Sequence, residues 1–163
     1  MAINVGRVLL GGLIAGVVRL VGGTVVRALV VGPLFFEDLG RNQPEVLAAV
    51  ETTAARLEIV VMNLLMGIAL IYMYAAMRPR FASRFATIVS ASIPAWLIAS
   101  ATWGITAAMT LFSWPHIAVE VSFTLVTVLV AAYLGSSVYK EAGDSRPAVA
   151  ARTHATVDVR AQA

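Results

Sequence analysis

The chain has 163 residues, of which 60% are hydrophobic and 13% charged, and its mean hydropathy is +0.85. A soluble domain does not carry so much apolar sequence in long runs, so the composition predicts an integral membrane protein. The absence of cysteine excludes disulfides, thiol chemistry, iron–sulfur clusters and cysteine-bound zinc. The net charge of +3 is better explained as a membrane-orientation signal than as a nucleic-acid site.

The first apolar segment covers residues 5–31. It is long enough to cross a bilayer, since about 20 helical residues span the hydrocarbon core. Gly12 and Gly16 are four residues apart, a spacing that lets two helices approach closely and predicts a homo-oligomer or another membrane protein as partner. Ordinary tolerance of glycine in membrane helices is the alternative. Gly32 and Pro33 predict the end of this helix, because proline lacks a backbone donor.

The same region also resembles a secretory signal, with Arg7 followed by the apolar run Val8–Val18. No small-residue cleavage site ends that run, and apolar sequence resumes as far as Phe36. We therefore expect a first transmembrane helix that is retained.

A polar connection follows at residues 37–53. Pro44 suits the first turn of a helix, and Glu45 lies where the helix dipole favours an acid. Apolar side chains then recur at helical spacing up to Val50. This pattern predicts a short amphipathic helix at the extracytoplasmic membrane interface.

Three further apolar segments complete the transmembrane domain, which we place at residues 1–140. They cover residues 54–77, 87–111 and 116–138. From residue 141 to 163 the composition shifts to Gly, Ser, Pro, Ala and charged residues, which predicts a disordered cytoplasmic tail. The predicted fold class is all-α, a polytopic four-helix transmembrane bundle.

Basic residues predict the orientation of the bundle. Arg78, Arg80 and Arg84 lie between the second and third segments, Arg7 precedes the first, and Lys140 follows the fourth. Since cytoplasmic loops carry an excess of Lys and Arg, both termini are predicted to be cytoplasmic. The bias toward Arg, Ala and Val is typical of bacterial coding sequences, so we expect a multi-pass protein of the bacterial inner membrane.

Charged residues inside the predicted spans are the candidate site. An arginine near the bilayer centre costs at least about 2.5–3.5 kcal/mol, so mutual pairing with acids is expected. Glu120 and Thr124 share one helical face with Thr127 and Ala131, which should point into the bundle. The candidate intramembrane charge network comprises Arg19, Arg27, Glu58, Asn63, Glu120 and Thr124.

Three interpretations of this network stay open. A structural Arg/Glu network would fix the helix register in a protein of structural or partner-binding type, which is the leading hypothesis. A small-solute, proton or ion transporter or channel component would use the same charges as a pathway. Lipid headgroups could also solvate Arg27 and Glu58 without any partner.

Evidence for an enzyme or a cofactor is lacking in the sequence. His116 and Glu120 are i, i+4, a conceivable metal site, but a lone histidine at a helix start is more often an interfacial polar residue. The other histidine, His154, lies in the tail, which argues against a haem held by two histidines. Phosphate loops and nucleophile elbows are missing as well. We therefore predict a non-enzymatic protein without cofactor, metal or nucleic acid, whose main partner is the lipid bilayer.

Two stretches of the chain resemble a family of small, uncharacterised four-span bacterial membrane proteins. They are the link Tyr74–Phe81 and the opening Arg7–Gly16, and Glu120 and the ending at residues 134–141 are also similar. The family typically has Asn and Glu near the middle of its first span, where this chain has Arg19. The resemblance implies the fold and the membrane location only.

Overall fold

The computed structural model describes residues 3–50 and 52–139, and within them it contains helices and no strand. The predicted tail at residues 141–163 lies outside the described residues. In chain order the elements are α1 (Val5–Val26), a π-helical segment (Arg27–Val31), α2 (Gly32–Asn42), α3 (Pro44–Val50), α4 (Thr53–Met77), a short 3₁₀ turn (Arg78–Arg80), α5 (Arg84–Ala108) and α6 (Trp114–Ser136). The predicted all-α fold is confirmed.

Within the described part of the chain, four helical stretches are long and apolar enough to cross a membrane. They are Val5–Asn42, Thr53–Arg80, Arg84–Ala108 and Trp114–Ser136. In the bundle α1 packs between α4 and α6, and α5 packs mainly against α6. Large apolar side chains such as Leu9, Leu57 and Ile98 stay exposed on the outside, as expected for a surface that faces lipid. The fold therefore supports a multi-pass membrane protein.

The long helices begin at capping residues that the sequence provides. Asn4 caps α1 by accepting a hydrogen bond from the Arg7 amide, and Thr52 caps α4 in the same way through the Ala55 amide. Ser83 accepts from the Ala86 amide at the start of α5. Each cap satisfies one of the backbone donors that a helix start leaves unpaired, and is worth about 1 kcal/mol.

The first helix does not end at Gly32 and Pro33, which corrects the predicted boundary at residue 31. The chain passes through the π-helical segment Arg27–Val31 and continues as α2 to Asn42. Pro33 occupies the first turn of α2, where its missing donor is not needed. Gly32 allows the wider turn, because a Cβ there would lie 2.7 Å from the Arg27 carbonyl oxygen. The predicted short helix at residues 44–50 is present as α3.

Glycines bring α1 and α4 into direct backbone contact. A Cβ on Gly16 would lie 2.7 Å from the Leu64 Cα, and a Cβ on Gly67 would collide with the backbone of Gly12 and Gly16. We call this contact of Gly12, Gly16 and Gly67 the glycine seam. The predicted close approach is present, but inside one chain. The expected use of Gly12 and Gly16 in a homo-oligomer is corrected, since both are buried against α4.

The chain start and the end of α6 lie at one end of the bundle, together with the link between α4 and α5. The Arg7 guanidinium donates to the Val138 carbonyl, and Arg84 donates to the Tyr133 carbonyl and the Ser136 hydroxyl. We call this the arginine-rich end. The opposite end carries α2, α3 and the turn between α5 and α6.

Candidate functional site

A cavity of about 970 Å³ lies between α1, α4 and α6, on the side of the glycine seam toward the opposite end. Helices α1 and α4 touch at the seam and then separate: a Cβ on Gly23 would meet nothing within 4 Å. Helix α6 stays close to α1 there, since a Cβ on Gly22 would lie 2.8 Å from the Thr127 methyl group. Helices α1 and α4 are thus in contact at the glycine seam and diverge beyond it.

One face of each helix supplies the wall of the cavity. Helix α4 contributes Arg56, Ile59, Val60 and Asn63, which are spaced i, i+3, i+4 and i+7. Glu58 lies between these positions in sequence and is therefore exposed on another face, outside the cavity wall. This corrects the predicted charge network, which included Glu58 together with Arg27 and Glu120.

Helix α6 presents Glu120, Thr124 and Thr127 to the cavity, and the adjacent Ala131 is fully buried in the core. The predicted small and polar face of this segment points into the bundle, as its periodicity indicated. Glu120 is 9% exposed. The structure thus places an acidic group in the wall opposite the arginines of the first helix.

Arg19 and Arg27 line the cavity from α1 and the π-helical segment. The Nε atoms of both side chains are buried and donate no hydrogen bond to a described residue. The Arg27 guanidinium lies over the Phe35 ring, 4.7 Å from its centroid. Ion pairs in the described residues involve only Glu37 with Arg41, and His116 with Asp38 and Glu120. The expected Arg/Glu pairing is thus corrected.

Asn63 does not take the place of an acid beside Arg19. Its side-chain amide donates to the Ile59 carbonyl on its own helix, at 2.9 Å. Asn63 and Arg19 both line the cavity, without a hydrogen bond between them. The first helix therefore meets polar neighbours there but no countercharge.

A second polar group adjoins the cavity and was missed by the sequence analysis. His116 is fully buried, with Nδ1 3.3 Å from the Asp38 carboxylate and Nε2 4.0 Å from the Glu120 carboxylate. Its ring is enclosed by the aromatic rings of Phe35, Trp103 and Phe112. We call this group the Asp38–His116–Glu120 triad.

The spacing of His116 and Glu120 was visible in the sequence, but Asp38 was not recognisable as their neighbour. It reaches His116 because the first helix continues into α2 instead of ending at Pro33. The described residues hold no group of three His, Cys, Asp or Glu side chains with a geometry suited to a metal ion.

Asp38 also fastens α2 to the start of α6. Its carboxylate accepts hydrogen bonds from the Ser113 amide at 2.9 Å and from the Ser113 hydroxyl at 2.8 Å. We expect Asp38→Ala to lower the free energy of unfolding by about 1–3 kcal/mol, because buried donors then lose their partner. Denaturant unfolding in mixed micelles measures this change.

Glu37→Ala is the matched control for that variant. Glu37 pairs with Arg41 on the surface, with 58% of its side chain exposed, and such pairs contribute about 0–1 kcal/mol. Equal stability of the Asp38→Ala variant and the unaltered protein would show that this carboxylate does not hold the two helices together.

Fold and site together define a class of protein: an all-α bundle with four membrane-length helices, whose polar cavity is lined by charged side chains. Comparisons with protein-family models, with curated proteins and with solved structures find no match to this chain. The resemblance to four-span bacterial membrane proteins therefore stays a prediction. Function has to be argued from the site alone.

Proposed function

We propose that this chain is an integral membrane protein that binds an anionic amphiphile in the cavity between α1, α4 and α6. The proposal rests on the lack of a carboxylate partner for Arg19 and Arg27 among the described residues. Both residues line the cavity, and neither forms an ion pair with a carboxylate among the described residues. An unpaired guanidinium at membrane depth is costly, and an anionic ligand offsets that cost.

The charge balance of the wall favours an anion over a cation. Three arginines, Arg19, Arg27 and Arg56, face the cavity against one acid, Glu120. The Glu120 carboxylate also lies 4.0 Å from Nε2 of His116, so it interacts with the histidine as well as with the cavity. A ligand with a carboxylate, phosphate or sulfonate head complements this arrangement.

The apolar part of the wall favours a ligand with a hydrophobic body. Leu20, Phe36, Val60 and Trp103 line the same cavity. Several lining residues on α1 and the π-helical segment, such as Thr24 and Ala28, are exposed, so the cavity opens to the surroundings of the bundle on this side. In a bilayer those surroundings are lipid, so an amphiphile can enter sideways from the membrane. The volume of about 970 Å³ is at the upper end of the range for small-molecule sites.

Binding fits the geometry better than the two functions favoured by sequence alone. A purely structural or partner-binding role for the charges needs ion pairs that the described residues lack. A channel needs a continuous path, whereas the glycine seam closes the cavity toward the arginine-rich end. Transport of the ligand would require α1 and α4 to separate at the seam. We regard transport as a further step beyond binding.

The proposed orientation follows from the positive-inside rule. Arg7 and Arg84 mark the arginine-rich end, which we assign to the cytoplasm of a bacterial cell. The cavity then belongs to the outer leaflet, and its ligand comes from there.

Quenching of tryptophan fluorescence tests the proposal, because Trp103 lines the cavity. The protein, with the exposed Trp114 replaced by Phe, is placed in phosphatidylcholine nanodiscs and titrated with brominated stearate or brominated phosphatidylglycerol. We expect saturable quenching that unbrominated ligand reverses. Arg19→Gln and Arg27→Gln should each weaken binding about tenfold, since one charge-assisted hydrogen bond is worth about 1.5–3 kcal/mol.

Arg41→Gln is the control, because Arg41 is exposed, pairs with Glu37 and lies outside the cavity. The stearate and phosphatidylglycerol arms distinguish a carboxylate from a phosphate head. Equal quenching by brominated phosphatidylcholine would contradict the proposal, and so would equal affinity of Arg19→Gln and Arg41→Gln.

A further inference from the structure

His116 lies between two carboxylates in a position without contact to solvent. Its Nδ1 is 3.3 Å from Asp38 and its Nε2 is 4.0 Å from Glu120. The side chain of His116 is 0% exposed, and neither nitrogen makes a hydrogen bond of good geometry to a described residue. Asp38 is held in place by Ser113, and Glu120 by its position on the same helix as His116.

The interactions within the triad depend on the protonation of His116 and Glu120. A neutral imidazole carries one N–H, so it can donate to only one of the two carboxylates. Its other nitrogen then turns a lone pair toward a carboxylate oxygen, which is repulsive if that carboxylate is ionised. One additional proton, on His116 or on Glu120, removes the repulsion. The net charge of the triad is −1 with this proton and −2 without it.

The triad is coupled to the cavity by charge. Glu120 belongs to both, and Arg27 interacts electrostatically with His116 and with Glu120 while lining the cavity. The charged groups that face His116 are thus Asp38 from α2, Arg27 from the π-helical segment and Glu120 from α6 itself. Helix α5 faces it with the Trp103 ring. An anion beside Arg27 is repelled by a triad of charge −2 more strongly than by one of charge −1.

We propose that the Asp38–His116–Glu120 triad is a proton-binding site, and that anion binding in the cavity favours the uptake of a proton there. This inference rests on the proposed function and adds its regulation. The proton enters from water at the Asp38 side, where 12% of the side chain is exposed. The proton passes to Nδ1 of His116. If Nε2 then releases its own proton to Glu120, the imidazole is neutral again and the added proton resides on Glu120.

The affinity for an anion should therefore fall as pH rises. The probe is an alkyl sulfonate that competes with brominated stearate in phosphatidylcholine nanodiscs, since a sulfonate stays ionised across the range. Histidine commonly changes charge between about pH 5 and 8, and couplings between sites are typically 5–150-fold. We expect the sulfonate to bind about tenfold more tightly at pH 5 than at pH 8. His116→Gln should abolish most of this difference.

Glu58→Gln is the matched control, because Glu58 is an exposed carboxylate outside the cavity, and it should keep the original pH dependence. The same pH dependence in His116→Gln and in the unaltered protein would overturn the proposal.

Calorimetry on the unaltered protein gives a second test that does not require the variant to fold. Sulfonate binding is measured at several pH values between about pH 5 and 8, each in two buffers of different ionisation enthalpy. A tenfold coupling predicts a maximum uptake of about half a proton per anion. Binding without proton uptake would overturn this inference alone. Absence of sulfonate binding at every pH would overturn the proposed function, and this inference with it.

Discussion

Gly67→Leu should strongly destabilise the bundle, because the new side chain would occupy the space of the α1 backbone at Gly12 and Gly16. Even one Cβ at this position collides with main-chain atoms, which cannot rotate away as a side chain could. Overpacking of a core typically costs about 1–3 kcal/mol, and forcing two helices apart puts this variant at the upper end. We expect a loss of about 3 kcal/mol in the free energy of unfolding.

Gly104→Ala provides the comparison, since a Cβ on Gly104 would meet nothing within 4 Å. It should leave stability unchanged or raise it by a few tenths of a kcal/mol, because alanine favours helix over glycine. Folded yield after purification and unfolding in mixed micelles report both variants. Normal yield of Gly67→Leu would show that α1 and α4 do not touch at the glycine seam.

Arg19→Leu should stabilise the protein when no ligand is bound, which distinguishes our account from a structural charge network. Arg19 makes neither an ion pair nor a hydrogen bond with a described residue, so its removal breaks no polar contact among them. Its replacement by leucine removes an unpaired charge, and an arginine near a bilayer centre costs about 2.5–3.5 kcal/mol on insertion. Because the unfolded protein in the micelle bears part of the same cost, we expect a gain on the order of 1 kcal/mol.

Arg41→Leu is the control for this variant. Arg41 has 70% of its side chain exposed and pairs only with Glu37, so the change in stability should stay within about 0.5 kcal/mol. For Arg19, we therefore expect a charge that serves binding to lower the stability of the unliganded protein, as is common at binding sites. Destabilisation by Arg19→Leu would instead indicate that Arg19 holds the helices together.

The sequence predicts the membrane-length helices because each is a long apolar run, and the four stretches observed agree with it. Close helix contact was also predictable from the spacing of Gly12 and Gly16. The partner of these two glycines was not predictable, because Gly67 can be identified as their contact only when α1 and α4 are placed side by side. The spacing rule is the same for two chains as for two helices of one chain.

The candidate site was predictable in part. Helical periodicity placed Glu120 and Thr124 on one inward face, and both line the cavity. The pairing of arginines with glutamates was inferred from the cost of an unpaired arginine in a bilayer, and that cost does not fix the direction in which a side chain points around its helix. Glu58 is exposed on a face of α4 that does not line the cavity.

The neighbours of His116 depend on a local feature that sequence patterns do not indicate. A glycine followed by proline usually ends a helix, but here the π-helical segment Arg27–Val31 lets the helix continue. That continuation carries Asp38 to the Ser113 amide and to the His116 ring. A helix that stopped at Pro33 would have left Asp38 in a surface loop.

The most direct test of the central claim, that Arg19 serves a bound anion, is the unfolding of the unaltered protein and of Arg19→Leu with and without brominated stearate. We predict that the variant is the more stable of the two without stearate. With stearate at about 100 times its dissociation constant for the unaltered protein, the unaltered protein should gain about 2.7 kcal/mol. The variant, whose affinity we expect to be about tenfold lower, should gain only about 1.4 kcal/mol. Equal gains in both proteins, or a variant that is less stable without ligand, would contradict the claim.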